Sequence, residues 1–509
     1  MLSLSRLSRS TWVRGLALLL AGLALTAVRP WLDGSPSRYV HVRWRTDVSD
    51  IERWWLEQRF SLRTEHHDGR SYGYDLLDSS PANVGALLDH PSVEDTASFD
   101  RTRKVVSPDA ETGRSRTGVA WRWRVEGVLP WLRPLGLITI FVAGVLLVDQ
   151  LLARLPLQRP MAPADDRSSG AARFRELDVL RGLAATAVVL FHFTARFATH
   201  YGHPGRPLIV VPWGYYGVHL FFVVSGMVIF LTIERMRSPW DFVAARIGRL
   251  FPAYWVAVTV TFLTVTAAHL PEVSLSARDY VWNLSMLQRF VDVPDVDGVY
   301  WTLQVELAFY VVMLVLLTVK AVPKTESILV GWLAVLTWDA AGGGLLREGL
   351  ETSRVQFVSL YGYAPLFLGG IVLHLQRTRG LTALRMGLLA WAFGVFAWRN
   401  TAEAAMVFGG IVVAVELAIH GYLARLAVRP LLLLGAVSYP LYLVHQNIGY
   451  VLLRMLYARG VPTNAGLVVT LGAVLLLAWL LHVLVEAPGQ RAVRSLRGRR
   501  GRSGAGATD

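Results

Sequence analysis

Residues 175–193 have the sequence RELDVLRGLAATAVVLFHF, a largely apolar segment that carries Asp178, Arg181 and His192. As a helix rising about 1.5 Å per residue, it is long enough to cross most of the roughly 30 Å of a bilayer's hydrocarbon. Arg181 and His192 are eleven residues apart, close to three helical turns, so they share one helix face, and Asp178 lies near it. The segment therefore predicts a membrane-spanning helix whose polar stripe extends about 16 Å from the arginine to the histidine.

The polar stripe has two interpretations. An ionisable side chain inside the bilayer costs at least about 2.5 kcal/mol and usually marks a polar cavity or a function. Spacing alone also permits a structural interpretation, in which Arg181 extends to the membrane surface and His192 is a core histidine bonded to a backbone carbonyl. Both interpretations stay open at this point.

The composition of the whole chain agrees with a membrane protein. Its 509 residues are 53% hydrophobic and only 17% charged, which excludes a soluble multidomain protein. The net charge of +14 comes from short basic segments between apolar blocks, a pattern that predicts cytoplasmic loops rather than nucleic-acid binding. Because the chain has no cysteine, a thiolate nucleophile, a disulfide and a cysteine-bound zinc are excluded, and we predict no metal. Catalysis must use histidine, carboxylate, serine or tyrosine.

Outward from residue 175, the apolar blocks divide the chain into six parts. We predict an uncleaved transmembrane anchor (1–29), a soluble domain (30–130), a second transmembrane helix (131–155), a linker (156–173), a ten-span core (174–490) and a basic tail (491–509). Every segment predicted to lie inside is basic, so both termini and the linker are expected in the cytoplasm, and residues 30–130 outside it. The predicted location is the cell membrane.

The fold class that follows is an all-α polytopic membrane protein with an N-terminal, membrane-anchored, small α+β extracytoplasmic domain. In that domain, strand-like segments near 38–44, 70–77 and 94–101 alternate with helical segments near 47–60 and 81–90. The sequence EHHD at 65–68 resembles a metal cluster, but neighbouring side chains point in different directions, so we expect a solvated loop. The ten core spans are expected near 179–200, 209–232, 251–270, 300–319, 327–346, 356–375, 381–397, 402–420, 430–455 and 465–485.

Two further groups of ionisable residues lie in or beside these spans. In FVAARIGRLFPAYW, Arg246 and Arg249 stand three residues apart near the predicted inner surface. Paired guanidinium groups suit phosphate, although ordinary positive-inside arginines explain them as well. In WTLQVELAFY, Glu306 must face protein or water, where it holds a hydroxyl or a histidine or makes a structural bond between helices.

A third group combines aromatic side chains with a second histidine. In SYPLYLVHQ, His445 lies in the middle of a predicted span, with Ser438 on the same face and Tyr442 one turn away. Trp301 is an aromatic residue at the predicted membrane interface. We assign His445, Tyr442 and Trp301 to substrate binding.

Five stretches of this sequence, taken in order, resemble the acyltransferase 3 family, the integral membrane acyltransferases of the O-antigen and macrolide type. They are ELDVLRGLAATAVVLFHF, YYGVHLFFVVSGMVIF, RIGRLFPAYW, WTLQVELAFY and SYPLYLVHQ. The resemblance covers about residues 174–490 and implies transfer of an acyl group, often acetyl, from cytoplasmic acyl-CoA to a hydroxyl of a glycan or other cell-envelope acceptor. It implies that His192 is the catalytic histidine, with Arg181 as its partner for the acyl donor. Arg246 and Arg249 would then bind the phosphates of the coenzyme.

The catalytic set predicted here is His192, Arg181, Glu306 and Asp178, in which Glu306 or Asp178 orients the imidazole if packing brings either near. His192 acts as a general base toward the acceptor hydroxyl, or it carries the acyl group itself. The expected partners are the lipid bilayer, acyl-CoA and the acceptor; the oligomeric state is open. A transporter of a lipid-linked or glycosidic substrate and a membrane sensor are the alternatives from other classes.

Overall fold

The computed structural model divides the chain into two compact units, residues 1–155 with 393–406, and residues 156–392 with 407–509. It describes residues 38–44, 62–68, 71–76, 93–100, 138, 141, 142, 175–236, 238–271, 273–340, 360, 362–493 and 495. The predicted anchors near 12–28 and 134–155, apart from positions 138, 141 and 142, lie outside these residues. So do the predicted helices near 47–60 and 81–90.

The first unit contains an antiparallel sheet of four strands, β1 (Arg38–Trp44), β2 (Leu62–Asp68), β3 (Ser71–Leu76) and β4 (Val93–Asp100). Their order is β2-β3-β1-β4, so β1 is central, and its Val42 is fully buried. The three strands predicted from the sequence are present as β1, β3 and β4. The prediction of a solvated loop at 65–68 was wrong, because these residues belong to β2, in which His66, His67 and Asp68 pair with β3. A strand whose stability comes from its neighbour carries a weak local signal.

The described α-helices follow the sheet. They are α1 (Arg175–Leu190), α2 (Phe197–His200), α3 (Gly217–Arg235), α4 (Pro239–Ala268), α5 (Ala277–Leu284), α6 (Trp301–Thr318), α7 (Thr325–Ala340), α8 (Ala364–Arg379), α9 (Ala383–Arg399), α10 (Ala402–Ile419), α11 (Arg429–Val444), α12 (Gln446–Ala458) and α13 (Thr463–Leu481). Each of the ten predicted spans overlaps one of them, because long apolar runs are a property of the local sequence.

Six helical segments of the described residues are long and apolar enough to cross a membrane: Arg175–His200, Gly214–Arg235, Pro239–Ala268, Gly298–Thr318, Ala402–Ile419 and Thr463–Val493. A seventh is possible if α11 and α12, which are bent by 75°, count as one span. The helices α7, α8 and α9 have only 16 or 17 residues. The described residues therefore support six or seven spans, fewer than the ten expected.

The bend between α11 and α12 corrects the prediction of one continuous span near 430–455. It falls at His445 and is held from a distant part of the chain. The Asp297 carboxylate accepts a hydrogen bond of 3.0 Å from the backbone N–H of Asn447, in the first turn of α12. The Asn447 side-chain amide in turn donates to the carbonyl of Val296 at 3.0 Å. Side-chain capping of this kind satisfies the free N–H groups that a helix start exposes.

The helices α1 and α11 pack closely where each has a glycine. A Cβ atom added to Gly182 would lie only 2.6 Å from the backbone nitrogen of Gly435, and one added to Gly435 would overlap the carbonyl of Asp178. Small residues at a crossing let two backbones approach closely, which is how helices commonly associate in membranes. This crossing fixes the register of the two helices on which the predicted histidines lie.

Candidate active site

His192 lies in a π-helical turn, Phe191–Arg196, that continues α1 toward α2. Wide turns of this type are rare and occur often at functional sites, because they change the direction in which side chains leave the helix. The Nδ1 atom of His192 is 2.9 Å from the backbone carbonyl of Val188. That bond is the one expected of a structural core histidine, but it is not the only contact of the ring.

The second predicted histidine packs directly against the first. His445 Nε2 is 3.1 Å from His192 Nδ1, and the two rings meet at 70° with their centroids 4.8 Å apart. We call these two residues the histidine pair. Each follows its crossing glycine by ten residues, His192 after Gly182 and His445 after Gly435. The two glycines are in contact, and so are the two histidines ten residues further along. The helices α1 and α11 therefore run in the same direction.

The hydrogen bonds assign the ring protons of the histidine pair. His445 Nδ1 lies 2.9 Å from the carbonyl of Tyr442 and 3.2 Å from that of Leu441. A carbonyl only accepts, so His445 Nδ1 carries the proton and its Nε2 is an acceptor. His192 Nδ1, between the carbonyl of Val188 and this acceptor, must also carry its proton. The remaining nitrogen, His192 Nε2, therefore keeps its lone pair and is the basic and nucleophilic atom.

A small cavity of about 50 Å³ lies on the Arg181 side of the histidine pair. We call it the Arg181 cavity; its polar lining includes Arg181, Ser225, Glu306, Ser438 and Tyr442. The structure thus brings three of the sequence-predicted residues, from α1, α6 and α11, to one space. Tyr442 connects this space with the histidine pair, since its ring centroid is 5.6 Å from that of His445.

Glu306 is bonded to hydroxyl groups and not to a histidine. Its Oε1 accepts hydrogen bonds from Ser225 Oγ at 2.9 Å and from Tyr310 OH at 2.7 Å. The bond from Ser225 joins α3 to α6, so this geometry agrees with a held hydroxyl and equally with the structural bond between helices. The ionisable side chain found against the ring of His192 is that of His445.

The paired arginines of α4 lie beside the same group. The guanidinium carbon of Arg246 is 5.6 Å from the ring centroids of both Phe242 and Tyr310, within the range of a cation–π contact. Its Nε is buried and has no hydrogen-bond partner among the described residues. Arg249 interacts electrostatically with Tyr310 and Glu306. Tyr310 therefore links the paired arginines to the Arg181 cavity.

The other predicted site residues lie elsewhere. Asp178 is in the first turns of α1, fourteen residues before His192, about 21 Å along a helix, too far to orient that ring. Trp301 packs against Tyr363, with ring centroids 5.3 Å apart, and is not part of the lining of the Arg181 cavity. Among the described residues, no group of three or more histidines and carboxylates is placed to bind a metal.

A repeated spacing in the sequence would have pointed to the histidine pair. GLAATAVVLFH and GAVSYPLYLVH both place a glycine ten residues before a histidine, in segments predicted to cross the membrane. Two parallel helices that touch at their glycines bring such histidines to the same depth. Each histidine taken on its own helix carries no signal for the other, so the pair is not predicted without this comparison of the two segments.

A family model of an acyltransferase domain, Acyl_transf_3, matches residues 174–483, more than half of the chain and all of the residues that form the site. The chain belongs to the acyltransferase 3 family. Together with its apolar helices, this membership makes it a multi-pass membrane protein of an acyltransferase family. The resemblance stated on motifs is confirmed.

Two curated relatives are similar to this chain. Nodulation protein 10 of Rhizobium leguminosarum bv. viciae is 29% identical over 210 residues, which cover 36% of this chain and 54% of that protein. The match thus spans about half the length of this relative. Exopolysaccharide production protein ExoZ of Rhizobium meliloti (strain 1021) is 25% identical over 268 residues, covering 50% of this chain and 80% of that protein. No solved structure matches the chain.

Proposed function

We propose that this protein is an O-acyltransferase that moves an acyl group, in the first instance acetyl, from acyl-CoA to a hydroxyl of a polysaccharide or related glycan. The observation that carries this proposal is the histidine pair, in which the hydrogen bonds leave His192 Nε2 with a free lone pair. Acyl transfer to a hydroxyl requires a basic or nucleophilic group of this kind.

The donor side of the proposal rests on the paired arginines. The unsatisfied Nε of Arg246 is a buried hydrogen-bond donor, and a buried donor without a partner is costly unless a ligand supplies one. The phosphates of a coenzyme suit it, because guanidinium groups bind phosphate oxygens with two parallel hydrogen bonds. From Arg246, the contacts through Tyr310 and Glu306 lead into the Arg181 cavity. This order predicts that the thioester follows the phosphates toward His192.

The acceptor side of the proposal rests on family membership and on the names of the relatives. One relative is an exopolysaccharide production protein, which supports a glycan as the acceptor. The cell membrane is the proposed location, with residues 30–130 as a proposed extracytoplasmic domain.

Two reaction courses use the free Nε2 of His192. As a general base, it takes the proton of the acceptor hydroxyl while the oxygen attacks the thioester carbonyl and CoA leaves as a thiolate that then takes a proton. As a nucleophile, Nε2 first forms an acyl-imidazole with loss of CoA, and the hydroxyl then attacks that intermediate. Labelled protein that accumulates from acyl-CoA without acceptor, and discharges when acceptor is added, indicates the second course.

The function is tested with membranes that contain the protein. Radiolabelled acetyl-CoA is supplied to membranes with and without the expressed protein, with extracted cell-envelope polysaccharide as acceptor. Label that enters an alkali-labile ester of the polysaccharide only when the protein is present supports the proposal. If no acyl-CoA of any chain length donates label, the proposed activity fails, and flux of glycans across sealed vesicles becomes the measurement that tests transport.

Replacing Arg246 by methionine is expected to raise the KM for acyl-CoA about 10-fold or more, because a charged hydrogen bond to phosphate contributes about 1.5–3 kcal/mol. The matched control is Arg425→Met, which removes an exposed arginine near the start of α11. Initial rates measured against acyl-CoA concentration give kcat and the KM for acyl-CoA. Equal effects of the two substitutions would favour the simple positive-inside interpretation of Arg246.

Replacing His445 by alanine tests its position beside the catalytic imidazole. We expect kcat to fall about 10- to 100-fold with little change in either KM, because the substitution removes the acceptor that helps to orient His192, and small misplacements of a reacting group are costly. Saturation kinetics in both substrates separate the two constants. A raised KM with kcat preserved would instead support the substrate-binding function assigned to His445 from the sequence.

A further inference from the structure

A second and larger space opens on the other side of the histidine pair. It is a cleft of about 410 Å³, walled by rings of Phe197, Tyr201 and Tyr457 and by the polar side chains of His203 and Arg454. We call it the Arg454 cleft. Its volume lies within the range of sites that bind small ligands. Nothing in the proposed donor path uses it.

The walls of the cleft are held in place by hydrogen bonds. His203 bonds to the hydroxyl of Tyr457 at 3.0 Å through Nδ1, and its Nε2 lies 3.3 Å from the carbonyl of Thr194. The segment after His203 is fixed to the start of α13, since the backbone N–H of Gly205 donates to Thr463 Oγ1 at 2.8 Å. The cleft is therefore preformed, as binding sites usually are.

The charge of the cleft comes from one residue. Burial lowers the pKa of His203, which is therefore neutral at pH 7. Arg454 lies with its guanidinium carbon 5.0 Å from the ring centroid of Tyr201, a cation–π contact that leaves the edge of the guanidinium group for other bonds. Among the described residues, no carboxylate is within ion-pair distance of Arg454.

This combination of groups suits a particular class of ligand. Tyrosine rings present flat apolar faces with a polar tip, on which the C–H face of a sugar ring packs while its hydroxyls form hydrogen bonds. A guanidinium group with no carboxylate partner among the described residues can bind an anionic group of a ligand, such as a carboxylate, with two parallel hydrogen bonds. A sugar that carries a carboxylate satisfies both requirements.

The position of the cleft relates it to the reaction. Phe197 follows His192 by five residues, and Arg181 precedes it by eleven, so along this span the cleft and the Arg181 cavity lie on opposite sides of the histidine. The same order holds on α11 and α12 of the same chain, where Tyr442 precedes His445 and Arg454 follows it. Five residues of helix amount to a rise of about 7.5 Å, so the wall of the cleft that Phe197 forms is close to His192 along this span.

We propose that the Arg454 cleft is the acceptor site and that it binds an acidic glycan, with the carboxylate of a uronic acid on Arg454 and the sugar ring against Tyr201. This inference rests on the proposed function, because it names the substrate class of the same reaction. The acceptor and the acyl donor then approach His192 from opposite sides.

The experiment measures sugar binding without any acyl donor, on the full-length protein in lipid nanodiscs. The probes are a glucuronate-containing disaccharide and the same disaccharide with its carboxyl group reduced to an alcohol. We expect the wild type to bind the acidic probe at least 10-fold more tightly in titration calorimetry. Arg454→Met is expected to abolish this preference. The matched control is Arg459→Met, which removes an exposed arginine five residues further along and should leave the preference intact.

Acyl transfer to the two disaccharides is measured in parallel. Equal binding of the two probes by the wild type, or a preference that survives Arg454→Met, overturns the acceptor site even if the protein transfers acyl groups. Preferential binding that Arg454→Met removes, combined with no transfer from any acyl-CoA, supports the cleft as an acidic-glycan site and overturns the proposed function instead. Tyr201→Leu is the second variant, expected to weaken binding of both probes by a similar factor.

Discussion

Replacing His192 by alanine is expected to reduce acyl transfer at least about 100-fold, and to abolish it if the acyl group passes through the imidazole. The physical reason is that Nε2 is the atom of the histidine pair whose lone pair the hydrogen bonds leave free. His445 cannot replace it, because its Nδ1 is bonded to backbone carbonyls and its Nε2 faces His192 Nδ1.

The measurement is the initial rate of transfer from radiolabelled acetyl-CoA at equal amounts of correctly inserted protein. The matched control is His200→Ala, which removes another histidine from the same span, eight residues further along and beyond the π-helical turn. It is expected to retain wild-type transfer. Normal transfer by His192→Ala would show that the catalytic base is elsewhere, and the assignment of the site would then be wrong.

Replacing Gly435 by valine is expected to have the second largest effect, on the fold and the activity together. Any Cβ atom at this position overlaps the backbone carbonyl of Asp178, and a backbone cannot move aside as the end of a flexible side chain can. Crowding a packed interface typically costs about 1–3 kcal/mol. Because the same crossing sets the register of α1 and α11, separating the helices also moves His445 away from His192.

Detergent-solubilised protein with a fluorescent tag gives the test of the helix crossing. We expect Gly435→Val to lower the temperature at which the monodisperse peak is lost in size-exclusion chromatography, and to reduce transfer by the remaining folded protein. The control is Gly472→Val in α13, where an added Cβ meets no atom within 4 Å. A variant Gly435→Val with wild-type stability and activity would contradict the close crossing.

Much of the helical framework was predictable because it depends on local sequence. The spans expected near 179–200 and 300–319 are found as Arg175–His200 and Gly298–Thr318, since an apolar run of sufficient length forms a helix in the bilayer whatever its neighbours are. The bend at His445 was not predictable in the same way. It depends on Asp297, 150 residues away, which caps the start of α12.

The candidate site also has one part that local sequence predicts and another that depends on how the helices pack. Counting residues along one helix predicts a common face for Arg181 and His192, and it marks Glu306 as an intramembrane carboxylate that needs a partner. The identity of that partner, the hydroxyls of Ser225 and Tyr310, depends on how α3 and α6 pack. Distances between helices do not follow from a sequence, so the prediction that Glu306 or Asp178 orients His192 depended on packing, and the imidazole found beside His192 is that of His445.

By itself, the sequence determined that this is a membrane protein of the acyltransferase 3 family with a conspicuous Arg181-to-His192 stripe, because hydrophobic length, charge and spacing are properties of short segments. Only the tertiary structure decided which polar groups meet. His192 and His445 are 253 residues apart, and they come within hydrogen-bond distance because Gly182 and Gly435 let two parallel helices touch. A contact of that kind is a property of the packed backbones, and no single segment contains it.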